Sequence, residues 1–297
     1  GHLHEGALIG SVVGRLVGAP IVFDFQGSLT GEMLDHGFLE RDTLSYYWWR
    51  RLEERIVEMP DAIITSTTHS TELLARSFGR EEAVHPLPDS VNLDFFSPAC
   101  LSQGERAARR AELGLPTDRL VVVYLGLLAD YQGIPQLLTA AAKLRAQGLP
   151  VSFLIMGFPG VEIYRRRAYA LGLTPQDVVF TGKIPYEQAP DYLALGDLSV
   201  APKLSATEGS GKILNYMAMG LPVVTYDTRV SREYLGALGI YASPLGDADA
   251  LATSLSSLME DRDRLSQLGE RLRARARRHF SWARTGRQLM KIYSTLR

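Results

Sequence analysis

The strongest constraint on the fold is the alternation of strand-like and helix-like segments between residues 120 and 241. Residues 120–125 (LVVVYL) and 151–156 (VSFLIM) are almost unbroken apolar runs, and helical patterns at 134–146 and 186–195 follow such runs. Strands covered by helices on both faces have continuous apolar runs of this kind, whereas strands with one solvent-exposed face alternate apolar and polar residues. The pattern therefore predicts an α/β domain built on a parallel sheet.

Composition narrows the class of protein further. The chain has 297 residues, of which 46% are hydrophobic, so it can bury one large core or two medium ones. Lys and Arg (32) balance Asp and Glu (33), which argues against a general nucleic-acid binder. Cys100 is the only cysteine, which excludes an internal disulfide framework and fits a reducing compartment. Since no apolar run approaches the ~20 residues that span a bilayer, we expect a cytoplasmic protein.

The stretch 205–226 (SATEGSGKILNYMAMGLPVVTY) has the pattern of a loop, a helix and a strand. Lys212 opens an apolar-periodic run that stops at Gly220, and a β-branched strand follows Pro222. The first amides of a helix have no intrahelical acceptor and lie at its positive end, so the glycine-rich loop is suited to bind a phosphate. A plain βαβ crossover with a polar loop has the same pattern, and both interpretations stay open.

Metal and dinucleotide motifs are weak in this chain. His2, His4 and Glu5 lie close together, but their spacing is not His-Glu-x-x-His and no later ligand cluster joins them. Two Asp-x-Asp segments begin at Asp247 and Asp261, and each opens a helical pattern, where Asp is favoured as a cap. Neither Gly-x-Gly-x-x-Gly nor a Walker loop occurs. We expect no metal site and no dinucleotide-dependent dehydrogenase.

The segment Tyr216-Met-Ala-x-Gly-x-Pro-Val-Val, together with Pro202 and Lys212, resembles the donor-site signature of family 4 glycosyltransferases, which have the GT-B fold. The resemblance runs from about residue 6 to the C-terminus. It implies two Rossmann-like domains facing a cleft, the first lacking its first strands because Gly1 begins in mid-fold. Residues 1–97, with a terminal helix 281–297 packing back on them, would form the acceptor-side domain, and 98–280 the nucleotide-sugar domain.

The chain departs from the family pattern at several donor-site positions. The family's pair of glutamates falls on Thr207 and Asn215, and Glu208, one residue late, is taken as the functional counterpart of the first. The Arg and Lys that contact the pyrophosphate in the family are replaced by Leu127 and Gln132. Gln26 stands where many members have a His near the reacting carbon.

The resemblance assigns three sets of site residues. The catalytic set is Glu208, Asp24 and Gln26. The donor-binding set is Gly126, Gln132, Gly157, Lys183, Ile184, Pro185, Lys203, Gly209, Ser210, Gly211, Lys212 and Asn215. The acceptor-side set is His4, Gly6, Gly27, Ser28 and Glu32, with His2 beside them. An N-cap with an acidic first turn is an equally good interpretation of residues 28–32.

The function implied by the resemblance is that of a retaining glycosyltransferase. Such an enzyme moves a sugar from a nucleotide-sugar to a glycan, lipid or small-molecule acceptor, with no metal ion or other cofactor. A degenerate GT-B protein that binds a nucleotide-sugar or glycan without turnover is one alternative, and a nucleotide-sugar epimerase is another. The aromatic and basic segment 46–51 (YYWWRR) and the basic helix 271–278 suit either core packing with a solvated edge or peripheral contact with the inner face of a membrane.

Overall fold

The computed structural model describes residues 1–35, 37–205, 209–259 and 261–296. These residues form two compact units. The first contains the described residues of 1–90, Ser205, Gly209 and residues 282–296, and the second contains 91–204 and the described residues of 210–281. Both units are built on parallel sheets, so the predicted α/β class is confirmed.

The first unit has a sheet of three parallel strands in the order β1-β2-β3. Its elements are α1 (Leu3–Val17), β1 (Val22–Phe25), α2 (Leu29–Asp35), α3 (Leu44–Glu58), β2 (Ala62–Thr65), α4 (Thr68–Phe78) and β3 (Val84–Pro86). Residues on β1 and β2 form its core with α3 and α4, including Phe23, Phe25 and Ile63. The N-terminal residue runs alongside β1, because the Gly1 carbonyl accepts a hydrogen bond from the Asp24 N–H at 2.7 Å.

The second unit has a sheet of six parallel strands in the order β6-β5-β4-β7-β8-β9. Its elements are α5 (Gln103–Glu112), β4 (Leu120–Leu125), α6 (Ile134–Ala146), β5 (Val151–Met156), α7 (Val161–Ala170), β6 (Val178–Gly182), α8 (Ala189–Leu193), β7 (Leu198–Ala201), α9 (Gly211–Ala218), β8 (Val223–Tyr226), α10 (Arg229–Leu235), β9 (Ile240–Ala242), α11 (Ala248–Ser256) and α12 (Arg262–His279). All six residues of β5 are buried. Apolar clusters cover both faces of this sheet, which explains the unbroken apolar runs of its strands.

The last helix, α13 (Trp282–Thr295), belongs to the first unit, where Ile292 packs against Ala62 and Leu87. Short 3-10 turns complete the described chain at Glu81–Ala83, Pro98–Cys100, Asp130–Gln132, Tyr186–Gln188 and Gly236–Leu238. None of the helices within the described ranges combines the length and the apolar character needed to cross a membrane.

One helix boundary differs from the sequence-based prediction. The predicted helix 186–195 is a 3-10 turn followed by α8, which begins at Ala189. Pro190 has no N–H to donate and fits only in the first turn of an α-helix, so α8 starts beside it.

The Asp-x-Asp segments are helix caps, as predicted. The Asp247 carboxylate accepts hydrogen bonds from the Asp249 and Ala250 amides at the start of α11. Asp261 accepts one from the Arg264 amide at the start of α12. Each carboxylate satisfies an amide that has no acceptor within its helix.

Candidate functional site

The strand order of the second unit fixes where a ligand can bind. Counted within the unit, the order is 3-2-1-4-5-6, so the chain changes direction across the sheet between β4 and β7. Open parallel sheets bind ligands outside the carboxyl ends of the strands at such a switch point. Gly126 follows the end of β4, and Pro202 and Lys203 follow the end of β7. Of the predicted donor set, Gly126, Gly157 and Lys203 therefore lie at this edge, and Gln132 lies in the loop after β4.

Lys212 extends from the first turn of α9 to the end of β4. Its Nζ donates to Oε1 of Gln132 at 2.8 Å and to the hydroxyl of Tyr124 at 3.0 Å. It also lies 4.4 Å from the centre of the Tyr124 ring, a cation–π distance. Tyr124 and Gln132 are both buried, and no Asp or Glu of the described ranges forms an ion pair with Lys212. The ammonium is thus held by neutral groups.

The surroundings of Lys212 lower its pKa. Although the side chain as a whole is half-buried, burial of the ammonium, reinforced by the nearby positive charge of Lys203, lowers the pKa of Lys212 to about 7. A low-dielectric environment disfavours the charged form of a lysine. An anion placed beside Nζ would reverse this effect, because an opposite charge within a few ångströms favours the ammonium. The site can therefore gain a proton when an anion binds.

Backbone crowding at this edge requires glycine. A Cβ on Gly126 would lie 2.6 Å from Nζ of Lys212, and Gly126 has a φ of 156°. A Cβ on Gly157 would lie 1.9 Å from the Gly126 carbonyl oxygen, and one on Gly133 would lie 1.9 Å from that of Pro202. Side chains at these positions would push apart the loops that carry Lys212 and Gln132.

Helix α9 is anchored to β4 through Tyr216. The Tyr216 hydroxyl accepts a hydrogen bond from the Leu125 amide at 2.8 Å, so α9 cannot slide along the strand. Ser210 precedes the helix, and its buried hydroxyl has no hydrogen-bond partner among the described residues. The amides of Gly211 and Lys212, as the first two of the helix, have no intrahelical acceptor. These groups and Nζ of Lys212 together present several donors to an anion.

The remaining donor-side residues are less closely grouped. Lys183 follows β6, and its Nζ lies 5.1 Å from the centre of the Phe158 ring. Ile184 packs against the apolar cluster under the sheet, and Pro185 precedes a 3-10 turn. Asn215 is half-buried on α9. Gly209 is assigned to the first unit, and Glu208, the predicted catalytic residue, lies outside the described residues.

The first unit brings together polar residues at the carboxyl end of β1. Oδ1 of Asp24 accepts from Nε2 of Gln26 at 2.6 Å. Oδ2 of Asp24 lies 2.7 Å from Nδ1 of His2, which fixes the orientation of the exposed imidazole. Asp24 and Gln26, both predicted as catalytic, are therefore joined in one hydrogen-bonded group with His2.

The loop after β1 is held by a buried carboxylate that the sequence-based prediction missed. Glu53 of α3 accepts from the Leu29 amide at 2.9 Å and from the Thr30 hydroxyl at 2.5 Å. Burial raises the pKa of Glu53, but contributions from His4 and the Thr30 and Ser28 hydroxyls outweigh it, so the pKa is lowered. The carboxylate therefore stays ionised at the N-terminus of α2, where negative charge is favoured.

The acceptor-side residues divide into buried and accessible groups. His4 is buried against Phe23 and Phe25, and its Nε2 lies 3.6 Å from Glu53. This placement favours a supporting role for His4 over direct contact with a ligand. Ser28 caps α2, since its hydroxyl accepts from the Gly31 amide at 3.1 Å. The other residues of this set are Gly6 in the first turn of α1, buried Gly27, and half-buried Glu32 of α2.

Three functional positions were absent from the predicted site: Tyr124, Tyr216 as an anchor, and Glu53. Tyr124 is the one polar-tipped residue in the apolar run of β4, which is a signal that its hydroxyl needs a partner. The sequence gives no comparable signal for Glu53. It stands among charged residues of α3 that are solvent-exposed or half-buried, and its residue type does not distinguish it from them. Across the described ranges, no three His, Cys, Asp or Glu side chains are placed to share a metal ion; metal independence stays a prediction.

The lowered pKa of Lys212 predicts a pH-dependent stability. The pKa is about 7 in the folded chain and about 10.4 in an unfolded one, so between these values the unfolded state binds more protons and stability rises with pH. We expect Lys212→Met to raise the melting temperature at pH ~6.5 by roughly 5 °C and to flatten its rise towards pH ~9. Calorimetry checks this, with exposed Lys291→Met as the control. Parallel curves for wild type and Lys212→Met would contradict the assignment.

Glu53 offers a matched pair of variants on one helix. Glu53→Gln places an NH₂ group where Leu29 and Thr30 donate, and we expect it to lower the free energy of unfolding by about 2–3 kcal/mol. Glu54→Gln removes only ion pairs with Arg50 and Arg51 at the surface, and we expect a loss within about 0.5 kcal/mol. Urea unfolding at neutral pH measures both. Equal losses would show that Glu53 does not hold the loop.

Comparison with known proteins gives several matches. D-inositol 3-phosphate glycosyltransferase of Nocardia farcinica is 30% identical over 255 residues, which cover 82% of this chain and 54% of that protein. GDP-mannose-dependent alpha-(1-6)-phosphatidylinositol monomannoside mannosyltransferase of Mycolicibacterium smegmatis is 30% identical over 249 residues, covering 81% and 64%. The chain thus spans between about half and two thirds of the length of these relatives.

A solved structure gives the fold. Anabaena HepE, crystallised in complex with UDP-glucose, matches with a TM-score of 0.83 and 18% identity, over 99% of this chain and 77% of that one. This likeness confirms the predicted GT-B fold class. A model of the family described as glycosyl transferases group 1 matches residues 105–278, more than half of the chain and nearly all of the second unit. The chain belongs to the glycosyl transferases group 1 family.

Proposed function

We propose that the protein is a retaining, metal-independent glycosyltransferase that moves a sugar from a nucleotide-sugar to a glycan, lipid or small-molecule acceptor. The observation that carries this proposal is the position of Lys212, whose ammonium lies at the switch point of the sheet on the first turn of a helix. We assign the donor diphosphate to this position. The protein would act in the cytoplasm or at the inner face of a membrane.

The chemistry of the site supports a diphosphate leaving group. When the sugar–phosphate bond breaks, negative charge develops on the diphosphate, and donors already in place stabilise it best. Nζ of Lys212 and the first amides of α9 are such donors, since Tyr216 fixes the helix and Gln132 fixes the ammonium. A cation and a helix N-terminus can do the work of a metal ion here. Lys203 and Lys183 add positive charge on neighbouring loops.

The first unit supplies the acceptor side in this proposal. Asp24, Gln26 and His2 form one hydrogen-bonded group at the carboxyl end of β1. Carboxylate, amide and imidazole groups are suited to orient a sugar or inositol hydroxyl. Two relatives support an acceptor of this class, since their names specify an inositol phosphate and a phosphatidylinositol mannoside.

The experiment compares nucleotide-sugar turnover in wild type, Lys212→Met and Glu208→Ala, with exposed Lys291→Met as the control. UDP-glucose and GDP-mannose are the donors, each with and without EDTA. Losing a charge-assisted contact to the diphosphate costs about 1.5–3 kcal/mol, so we expect Lys212→Met to lower kcat/KM by about 10- to 150-fold. We expect EDTA to change nothing and Lys291→Met to retain full activity.

Each other outcome has its own interpretation. Binding of a donor without turnover in wild type would favour a non-catalytic binder, an alternative that Asn215 and Gln132 support because the family carries charged residues there. Interconversion of donor epimers without acceptor would favour an epimerase. Full activity of Lys212→Met, or a product of inverted anomeric configuration, would contradict the proposal.

A further inference from the structure

One face of α3 is apolar at its start and cationic further along, and it is exposed. Leu44, Tyr47 and Trp48 are 90%, 57% and 61% exposed, and Arg51 and Arg55 follow at helical spacing on the same face. Positions i, i+3, i+4, i+7 and i+11 share one side of an α-helix. We call these five residues the α3 outer face.

The aromatic side chains of the α3 outer face are held in place. Trp48 packs edge-to-face on half-buried Trp49 with the ring centres 5.0 Å apart, and Tyr47 packs on half-buried Tyr46 at 5.5 Å. The Thr43 side chain caps the helix by accepting from the Tyr46 amide at 3.2 Å. The exposed rings would therefore lose little conformational freedom on contact with another surface.

The opposite side of α3 anchors the helix. Ile56 and Val57 are buried in the core of the first unit, and Glu53 is fully buried, where it holds the loop after β1. The helix cannot rotate to hide Leu44 and Trp48 without losing these contacts. The outer face is thus a fixed exposed surface.

We propose that the α3 outer face docks on an anionic lipid surface, with Leu44, Tyr47 and Trp48 at the headgroup boundary and the arginines on lipid phosphates. Aromatic residues flanked by Arg are suited to this boundary, since rings sit at headgroup level and basic groups reach the phosphates. Arg55 is exposed and has no carboxylate partner among the described residues. Within the described ranges, the ion-pair partner of Arg51 is Glu54 of its own helix.

The charge pattern favours lipid over a second copy of the chain. In a self-complementary interface, Arg51 and Arg55 would need acidic partners at fixed positions on the other copy. Two described acids border this face: Glu58 ends α3, and Asp42 accepts a hydrogen bond from the Tyr47 hydroxyl at the start of the helix. An anionic bilayer supplies negative charge everywhere along the surface. The proposal depends on this face alone and is independent of catalysis.

Co-sedimentation with vesicles tests the proposal. The vesicles contain phosphatidylcholine alone, or phosphatidylcholine and phosphatidylglycerol in equal parts. Wild type should bind the anionic vesicles, and added salt should weaken binding because it screens the arginines. Trp48→Ser should lower the partition coefficient by about tenfold, since it removes a large buried apolar contact, and Arg55→Glu should lower it on anionic vesicles.

Trp282→Ser is the matched control, because Trp282 is also exposed, at 68%, but lies at the start of α13. It should bind as wild type does. Melting temperatures of all variants establish that they are folded. Equal binding by wild type and Trp48→Ser would place any contact elsewhere, for instance on the exposed aliphatic residues of α1, and overturn the proposal. So would a dimer in sedimentation velocity, without lipid, that Trp48→Ser dissociates.

Discussion

The candidate donor site depends on one interaction: the ammonium of Lys212 is held at the carboxyl end of β4 by neutral, buried groups. Tyr124 and Gln132 accept its hydrogen bonds, and Gly126 leaves room for it. A lysine kept beside a carboxylate would already have its charge compensated. Here burial of the ammonium, with the positive charge of Lys203 nearby, lowers the pKa of Lys212 to about 7. An anionic ligand beside Nζ would therefore be favoured.

Gln132 stands where the donor signature of the family has a lysine, and its contact in the structure gives this replacement a role. In the family resemblance, a lysine is expected at this position, and its replacement removes a positive charge. In the structure, the amide oxygen of Gln132 accepts a hydrogen bond from Lys212. A charged lysine at 132 has no acceptor atom to offer, and its ammonium would repel that of Lys212. Gln132 therefore holds the ammonium of Lys212 in place without adding a charge of its own. The helix α9 supplies the cation that the loop after β4 lacks.

Local sequence patterns predicted the helices and strands well, but they could not predict contacts between side chains that are distant in the sequence. The bounds of α6 and β5 follow from continuous helical and apolar patterns, and each agrees with the structure to the residue. The start of α8 depended on Pro190, a local signal that was available. The contacts of Lys212 with Gln132 and Tyr124 join residues 80 and 88 positions apart. The contacts of Glu53 join α3 to the loop after β1. No periodicity reports such pairs, because they arise only when the sheet assembles.

The two units carry different candidate functional groups. The second carries cations and helix amides suited to a diphosphate, and the first carries a hydrogen-bonded carboxylate group and an exposed face on α3. Glu53 connects these features of the first unit, since its helix presents the outer face on one side and its carboxylate holds the loop after β1 on the other.

The most direct test of the central claim is proton uptake on binding of UDP, measured by isothermal titration calorimetry at pH ~8 in buffers of different ionisation enthalpy. Lys212 is mostly neutral at that pH in the free protein, and a diphosphate beside Nζ should raise its pKa. We expect uptake of roughly one proton in wild type and none in Lys212→Met. Binding enthalpies that do not depend on the buffer in wild type, or uptake that persists in the variant, would contradict it.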